Sequence, residues 1–414
     1  MVAVSGEYDR FGAYHVYECL GAGGMATVHR AALELEDGGT YEVALKRLLP
    51  QLADDQRFVG DFVREAKLAA HLDHPNIIRI LELGRVNKIY FIAMELVRGT
   101  PLMKLMQRAY RHKRAPSIGV VLSIAREVMA ALEYAHDSTD ELGFARRIVH
   151  RDLTPSNLLV TETGHVKIID FGVAKALSGQ FATSSGLAKG KLGYMATEAI
   201  AGKDIDARAD VFSAGVVLWE LVCCRRLFKG RNDYEVVAAI RAGNVPVPSS
   251  IREDCPTELD EIVLRALAPQ RDDRWASAAA MRRAIDNVVR FYGDRASADE
   301  VARWKRALPA EVPAAGRLES DAEPTAQRLS TDDLAAPDTL GDGSGREQPY
   351  DYPADPGDSA AYEHFLVDGD DFLVDAPSIE LTYGSGSFER SDDGDTIESI
   401  VSHFERRSSS SGEL

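Results

Sequence analysis

The residues of this chain that could do chemistry form an ordered series. Gly21-Ala-Gly-Gly-Met-Ala-Thr-Val28 comes first, between two strand-like segments. Glycines let a backbone approach phosphate oxygens closely and present unhindered N–H donors. The same cluster, taken alone, also suits a tight hairpin. Ala26 stands where a third glycine would complete a GxGxxG pattern, and a strand follows, so this is not the dinucleotide-binding fingerprint. Val43-Ala-Leu-Lys46 puts a lysine on a strand, and Glu65 lies mid-helix at a spacing that lets it reach that lysine. His150-Arg-Asp-Leu-Thr-Pro-Ser-Asn157, Asp170-Phe-Gly172 and Ala196-Thr-Glu198 follow. Each carboxylate by itself could be a solvated charge or a helix cap. Their order points to one shared site.

The elements that must position these residues can be read from hydrophobic spacing. Residues 14–49 alternate as strands do, broken by glycines at 21–24 and 38–39. Arg57–Leu72 is predicted helical, with Phe58, Phe62, Glu65, Ala66 and Ala69 three and four residues apart. Two strands are expected at Ile77–Leu83 and Ile89–Leu96. Helices are expected at Ile118–His136, Asp210–Cys223, Asp233–Ala242, Leu259–Ala268 and Ala276–Phe291. A strand-rich part thus precedes a helix-rich part, joined near Leu96–Gly99. Two lobes with a cleft between them follow, and ligands commonly sit in such clefts.

The motifs in this order resemble the protein-kinase family, specifically the eukaryotic-like Ser/Thr kinases of bacteria, over residues 14–291. The resemblance implies an α+β bilobal fold: an N-lobe antiparallel sheet with one helix, and a mainly helical C-lobe. It implies transfer of the ATP γ-phosphate to protein Ser/Thr hydroxyls. ATP would be cradled by Leu20, Gly21, Ala22, Gly23, Gly24, Met25, Ala26, Thr27 and Val28, with Ala44, Lys46 and the hinge residues Met94, Glu95 and Val97. Lys46 would hold the α/β-phosphates and Glu65 would fix Lys46. Asn157 and Asp170 would ligate Mg²⁺ through hard oxygens. Asp152 would accept or orient the substrate hydroxyl proton. Asp210 and Gly215 resemble the start of the buried helix under the catalytic loop, and Arg274 the structural partner of Glu198.

Three positions depart from the family. Thr154 stands where the family carries a γ-phosphate lysine, and Lys191 stands where it carries threonine. The two residue types look exchanged, and Lys191 is expected to supply the missing positive charge; a surface-facing Lys191 is the other reading. Thr197 replaces a proline, which is expected to loosen the substrate loop because proline fixes φ. These changes leave a second reading, a pseudokinase scaffold. A small-molecule phosphotransferase is disfavoured by Gly190-Lys-Leu-Gly-Tyr194 and the Ala-Thr-Glu segment. Arg151 and Lys175 could receive an activation-loop phosphate on Thr183, Ser184 or Ser185.

Composition narrows the class further. The chain has 414 residues and a net charge of −17; residues 310–414 hold 25 Asp+Glu, six Arg and no Lys, leaving residues 1–309 nearly neutral. A nucleic-acid binder should carry a basic face, and none is expected here. Four cysteines, none in a CxxC pair, suggest a reduced, cytoplasmic protein without a zinc site. No signal peptide is visible, and the longest apolar run, Ala214–Cys224, is too short to span a bilayer. The expected organisation is an N-terminal segment (1–13), the kinase domain (14–293), a short helical extension (294–309) capped by Ser297 and Glu300, and a disordered acidic tail (310–414). The tail could dock a partner through its duplicated Phe365-Leu-Val-Asp368 and Phe372-Leu-Val-Asp375 or its serine run Ser408–Ser411, or could simply add solubility.

Overall fold

The computed structural model describes residues 8–35, 39–140, 142–171 and 191–309. Six strands come first: β1 (Asp9–Phe11), β2 (Tyr14–Ala22), β3 (Ala26–Glu34), β4 (Thr40–Leu48), β5 (Ile80–Val86) and β6 (Ile89–Glu95). They form one antiparallel sheet in the order β1-β2-β3-β4-β6-β5. Side chains alternate across it, so Val43 and Leu45 pack outward with Phe11, Tyr14 and Phe91. Helix α1 (Gln56–Ala69) lies between β4 and β5 in the chain. Asp55 caps it by accepting from the Arg57 N–H at 3.0 Å, and it buries Phe62, Glu65, Ala66 and Ala69.

Beyond the sheet the chain is mostly helical. A short strand β7 (Gly99–Pro101) leads into α2 (Leu102–Arg111) and α3 (Ile118–His136), the latter capped by Ser117. Two more strands, β8 (Leu158–Thr161) and β9 (Val166–Ile168), join β7 in a small antiparallel sheet ordered β7-β8-β9. Helices α4 (Thr197–Ile200), α5 (Arg208–Cys223), α6 (Asp233–Ala242), α7 (Thr257–Ala266), α8 (Ala278–Tyr292) and α9 (Ala298–Ala307) complete the described part. Helix α5 is apolar on nearly every side and sits in the core with α3 and α7. Among the described residues, no helix is long and apolar enough to cross a membrane.

The α+β bilobal expectation holds. Three local differences have physical reasons. The sheet takes in β1, which lies within the segment read as N-terminal, because Phe11 adds to the outer apolar cluster. The strand expected from Ile77 starts at Ile80; Ile77 instead makes an isolated bridge to Ile168. Strands β8 and β9, at four and three residues, are too short to leave a periodic signature. Ser297 does stand at the N-cap of α9, but its hydroxyl does not cap the helix.

Candidate active site

Strand register brings the first group together. Val28 is opposite Lys46, Lys46 is opposite Ile92, and Ala44 is opposite Met94, so these side chains share one sheet face. Lys46 Nζ donates to Glu65 Oε1 at 2.7 Å and also pairs with Asp170. Below Ala44 and Met94, Val97 packs with Ile78, Leu159 and Ile169 in an apolar cluster between the sheet and β8. Glu95 faces elsewhere: its N–H donates to the Arg79 carbonyl, and its carboxylate accepts from the Arg79 N–H and Lys167 Nζ.

Burial pushes the Glu65 carboxyl up to about 7; Lys46 opposes the shift, while Asp170, sharing the same ammonium, adds to it. Burial works against the Lys46 charge, but Asp170 and Glu65 hold its pKa above the ordinary lysine value. Because its pKa is raised, Glu65 should take a proton at higher pH than an ordinary carboxylate, leaving Lys46 one charged partner fewer. Any activity that depends on the Lys46–Glu65 pair should therefore decline on the acid side, and Glu65→Gln should remove that limb. Stability moves the other way: because the folded pKa is raised, ionising Glu65 costs stability as pH rises from 4.5 to about 7. A pH–rate profile and a pH series of denaturation curves check the two signs.

The glycine-rich hairpin joins β2 to β3. Leu20, Gly21 and Ala22 end β2, the Gly23 N–H donates to the Ala26 carbonyl at 2.8 Å, and Ala26, Thr27 and Val28 open β3. Met25 packs against the main core. A Cβ at Gly21 or Gly24 would meet no atom within 4 Å, and neither residue has positive φ. The chain's own packing therefore does not require glycine at either position. The open space leaves room for a group to approach the backbone there.

The second group sits on the loop between α3 and β8. Asp210, fully buried at the start of α5, accepts from the His150 N–H (2.7 Å), the Arg151 N–H (2.8 Å) and His136 Nε2 (2.8 Å). Burial opposes the Asp210 charge, but His136 and these amides outweigh it and lower its pKa. The loop is thus held while Arg151 takes a φ of 65°. Asn157 Nδ2 donates to the Asp152 carbonyl at 2.8 Å and reaches Asp152 Oδ2 at 3.5 Å. Lys191 Nζ donates to the same Oδ2 at 2.8 Å. Thr154 is buried, and its hydroxyl has no partner among the described residues. Asp170 closes the constellation with a φ of 69° and a half-exposed carboxylate.

Arg274 and Glu198 form a bidentate pair at 2.7 and 2.8 Å. Thr197 Oγ1 donates to the Pro269 carbonyl at 2.7 Å, and Arg274 Nη2 donates to that hydroxyl at 3.2 Å, so the position that departs from proline is tied down by hydrogen bonds. Sequence reasoning missed His136, since nothing local at the end of α3 marks it as a partner of Asp210. Gly172, Lys175, Thr183, Ser184, Ser185, Gly190 and the segment 310–414 lie outside the described residues.

A two-lobed fold with a glycine-rich hairpin, a buried lysine–glutamate pair and two further carboxylates, Asp152 and Asp170, is the arrangement the sequence led one to expect of a phosphotransferase. Residues 14–284 match the protein kinase domain model, and the chain belongs to the protein kinase family. It is 40% identical over 279 residues to tyrosine-protein kinase MasK of Myxococcus xanthus, covering 67% of this chain and 43% of that protein. It is 32% identical over 285 residues to serine/threonine-protein kinase PrkC of Bacillus subtilis, covering 69% and 41%. The chain thus spans about two-fifths of the length of these curated relatives. Among solved structures, the Mycobacterium tuberculosis PknI kinase domain superposes with a TM-score of 0.51 at 28% identity, covering 69% of this chain and 99% of that one.

Proposed function

We propose that this chain transfers the γ-phosphate of ATP to Ser/Thr hydroxyls of protein substrates. The observation that carries this reading is that Lys46 pairs with both Glu65 and Asp170, while Asn157, which donates to Asp152, accepts at its carbonyl from the N–H of Ile169, the residue before Asp170. The donor set fits Mg²⁺. Asn157 and Asp170 offer hard oxygens, few protein ligands are needed, and Asn157 Nδ2 is already engaged with Asp152, which leaves the amide oxygen to a cation. Bound there, Mg²⁺ would neutralise charge on the phosphates.

In this reading the chain's own residues mainly position and neutralise. Gly21 and Gly24 allow the hairpin backbone to close on phosphate. Lys46, steadied by Glu65, exchanges Asp170 for phosphate oxygens when nucleotide enters. Asp152 orients the acceptor hydroxyl and takes its proton. The four cysteines are free thiols, which supports a reducing, cytoplasmic setting. A docking role for the acidic segment rests on its composition alone.

We also assign Lys191 the positive charge that Thr154 cannot provide. Its ammonium donates to Asp152, the residue assigned here to orient the acceptor hydroxyl. Lys191→Ala should lower kcat at least tenfold, and Thr154→Lys in the same chain should recover part of it. A loss under about threefold, which is below 1 kcal/mol, would remove Lys191 from the machinery.

The relative named a tyrosine kinase favours a second reading, transfer to tyrosine. Incubation with γ-labelled Mg·ATP followed by phosphoamino-acid analysis separates the two. Labelled Ser or Thr that is absent with Asp152→Asn supports the proposal, and labelled Tyr replaces it. ATP binding without any transfer would leave a scaffold.

A further inference from the structure

The family match ends at residue 284, yet the folded chain continues through a turn at Gly293–Arg295 into α9. Val301 and Ala302 of α9 are buried, as are Ala296 before it and Leu308 after it. Two glycines have no room for a side chain because this extension occupies the space. A Cβ on Gly119 of α3 would stand 2.0 Å from the Arg295 carbonyl oxygen. One on Gly164, in the β8–β9 turn, would stand 1.9 Å from that of Ala298. Trp304 Nε1 donates to the Arg114 carbonyl at 3.3 Å, and Arg114 Nη1 donates to the Ala307 carbonyl at 2.7 Å.

Lys305 is the least expected part of this contact. Lysine is seldom buried without a partner, and Lys305 is 9% exposed. Its ammonium donates to the Val160 carbonyl of β8 at 3.2 Å and pairs with Glu162. Strand β8 begins immediately after Asn157, and β9 ends two residues before Asp170. The Ile169 N–H donates to the Asn157 carbonyl at 2.9 Å, which ties the two ends of the hairpin together. Lys305 therefore grips the element that carries both candidate cation ligands.

We propose that the extension 293–309 is a positioning element of the active site, in which Lys305, acting through the Val160 carbonyl, fixes the β8–β9 hairpin that sets Asn157 against Asp170. Its nucleotide readout rests on the function proposed above. Lys305 touches no reacting atom; it acts on residues that do.

The test uses the full chain with Lys305→Met, which keeps an apolar stem and removes the donor. Glu162 is more than half exposed and stays solvated when the lysine is gone. Amide hydrogen exchange across residues 158–168 should accelerate about tenfold while α5 is unchanged. Affinity for a non-hydrolysable ATP analogue with Mg²⁺ should fall about tenfold, the scale on which supporting residues act on metal sites. Affinity for the Mg²⁺-free analogue should change less than about twofold, and Lys305→Arg should restore the magnesium complex. Unchanged hairpin exchange, uniform acceleration of the whole core, or a faster hairpin with unaltered Mg²⁺-dependent affinity would each overturn the proposal. A wild-type chain that binds no nucleotide would count against the proposed function, and the exchange pattern alone would then decide the clamp.

Discussion

Asp152→Asn should lower kcat for phosphoryl transfer about a thousandfold, within the range that removal of a positioned general base produces. That loss corresponds to roughly 4 kcal/mol of transition-state stabilisation. ATP affinity should change less than about threefold, because Lys46, Glu65 and the glycine-rich hairpin are untouched. The variant should also fold, since Asp152 is bonded through its backbone carbonyl to Asn157, and its N–H to His150 Nδ1, as well as through its carboxylate. Single-turnover transfer and nucleotide titration on the same preparation check both parts. A variant that keeps more than a tenth of wild-type kcat would show that Asp152 is not the base.

Arg274→Ala should be the most destabilising single change at this end of the molecule. The guanidinium is fully buried and satisfied: two bonds go to Glu198, others to the carbonyls of Ala268, Pro269 and Arg208, and the plane lies 4.9 Å from the Phe212 ring centroid. Removing one member strands the Glu198 carboxylate in a buried setting, a loss of about 3–5 kcal/mol. In a domain of this size that lowers Tm by roughly 10 °C. Arg274→Lys should recover only part of it, because a point charge cannot reproduce the two-pronged contact. Chemical denaturation midpoints distinguish these outcomes, and a shift below about 1 kcal/mol would remove the pair from the list of stabilising contacts.

The same pair predicts acid lability. Burial raises the Glu198 carboxyl, but Arg274 outweighs burial and holds it below its ordinary value; Asp210 is lowered by His136 and the loop amides in the same way. Lowered carboxylates contribute stability above their unfolded pKa of about 4, and that contribution disappears as pH falls through the folded value. Glu65 has the opposite sign. Acid should therefore weaken the catalytic loop and the Glu198 anchor, while protonation of Glu65 removes the cost of keeping its buried charge.

Much of the site was legible because its chemistry demands particular residue types in a fixed order. Gly21, Asp152, Asn157 and Asp170 lie in the motifs that carry the kinase resemblance, so the sequence alone picks them out. Long helices such as α3 and α5 were equally plain, since their apolar residues recur over several turns. Short elements were not: β8 and β9 acquire their strand geometry from pairing with β7 and each other rather than from their own few residues.

What the amino-acid order determined, then, was the set of reactive groups, the two-lobed plan and the positions where the chain departs from its family. Only the tertiary structure decided how those departures are accommodated. Lys191 meets Asp152 across 39 residues of chain, Thr197 finds a carbonyl 72 residues away, and Lys305 reaches Val160 across 145. Such contacts have no local signature, because a hydrogen bond depends on where two atoms lie in space and on the exclusion of water around them.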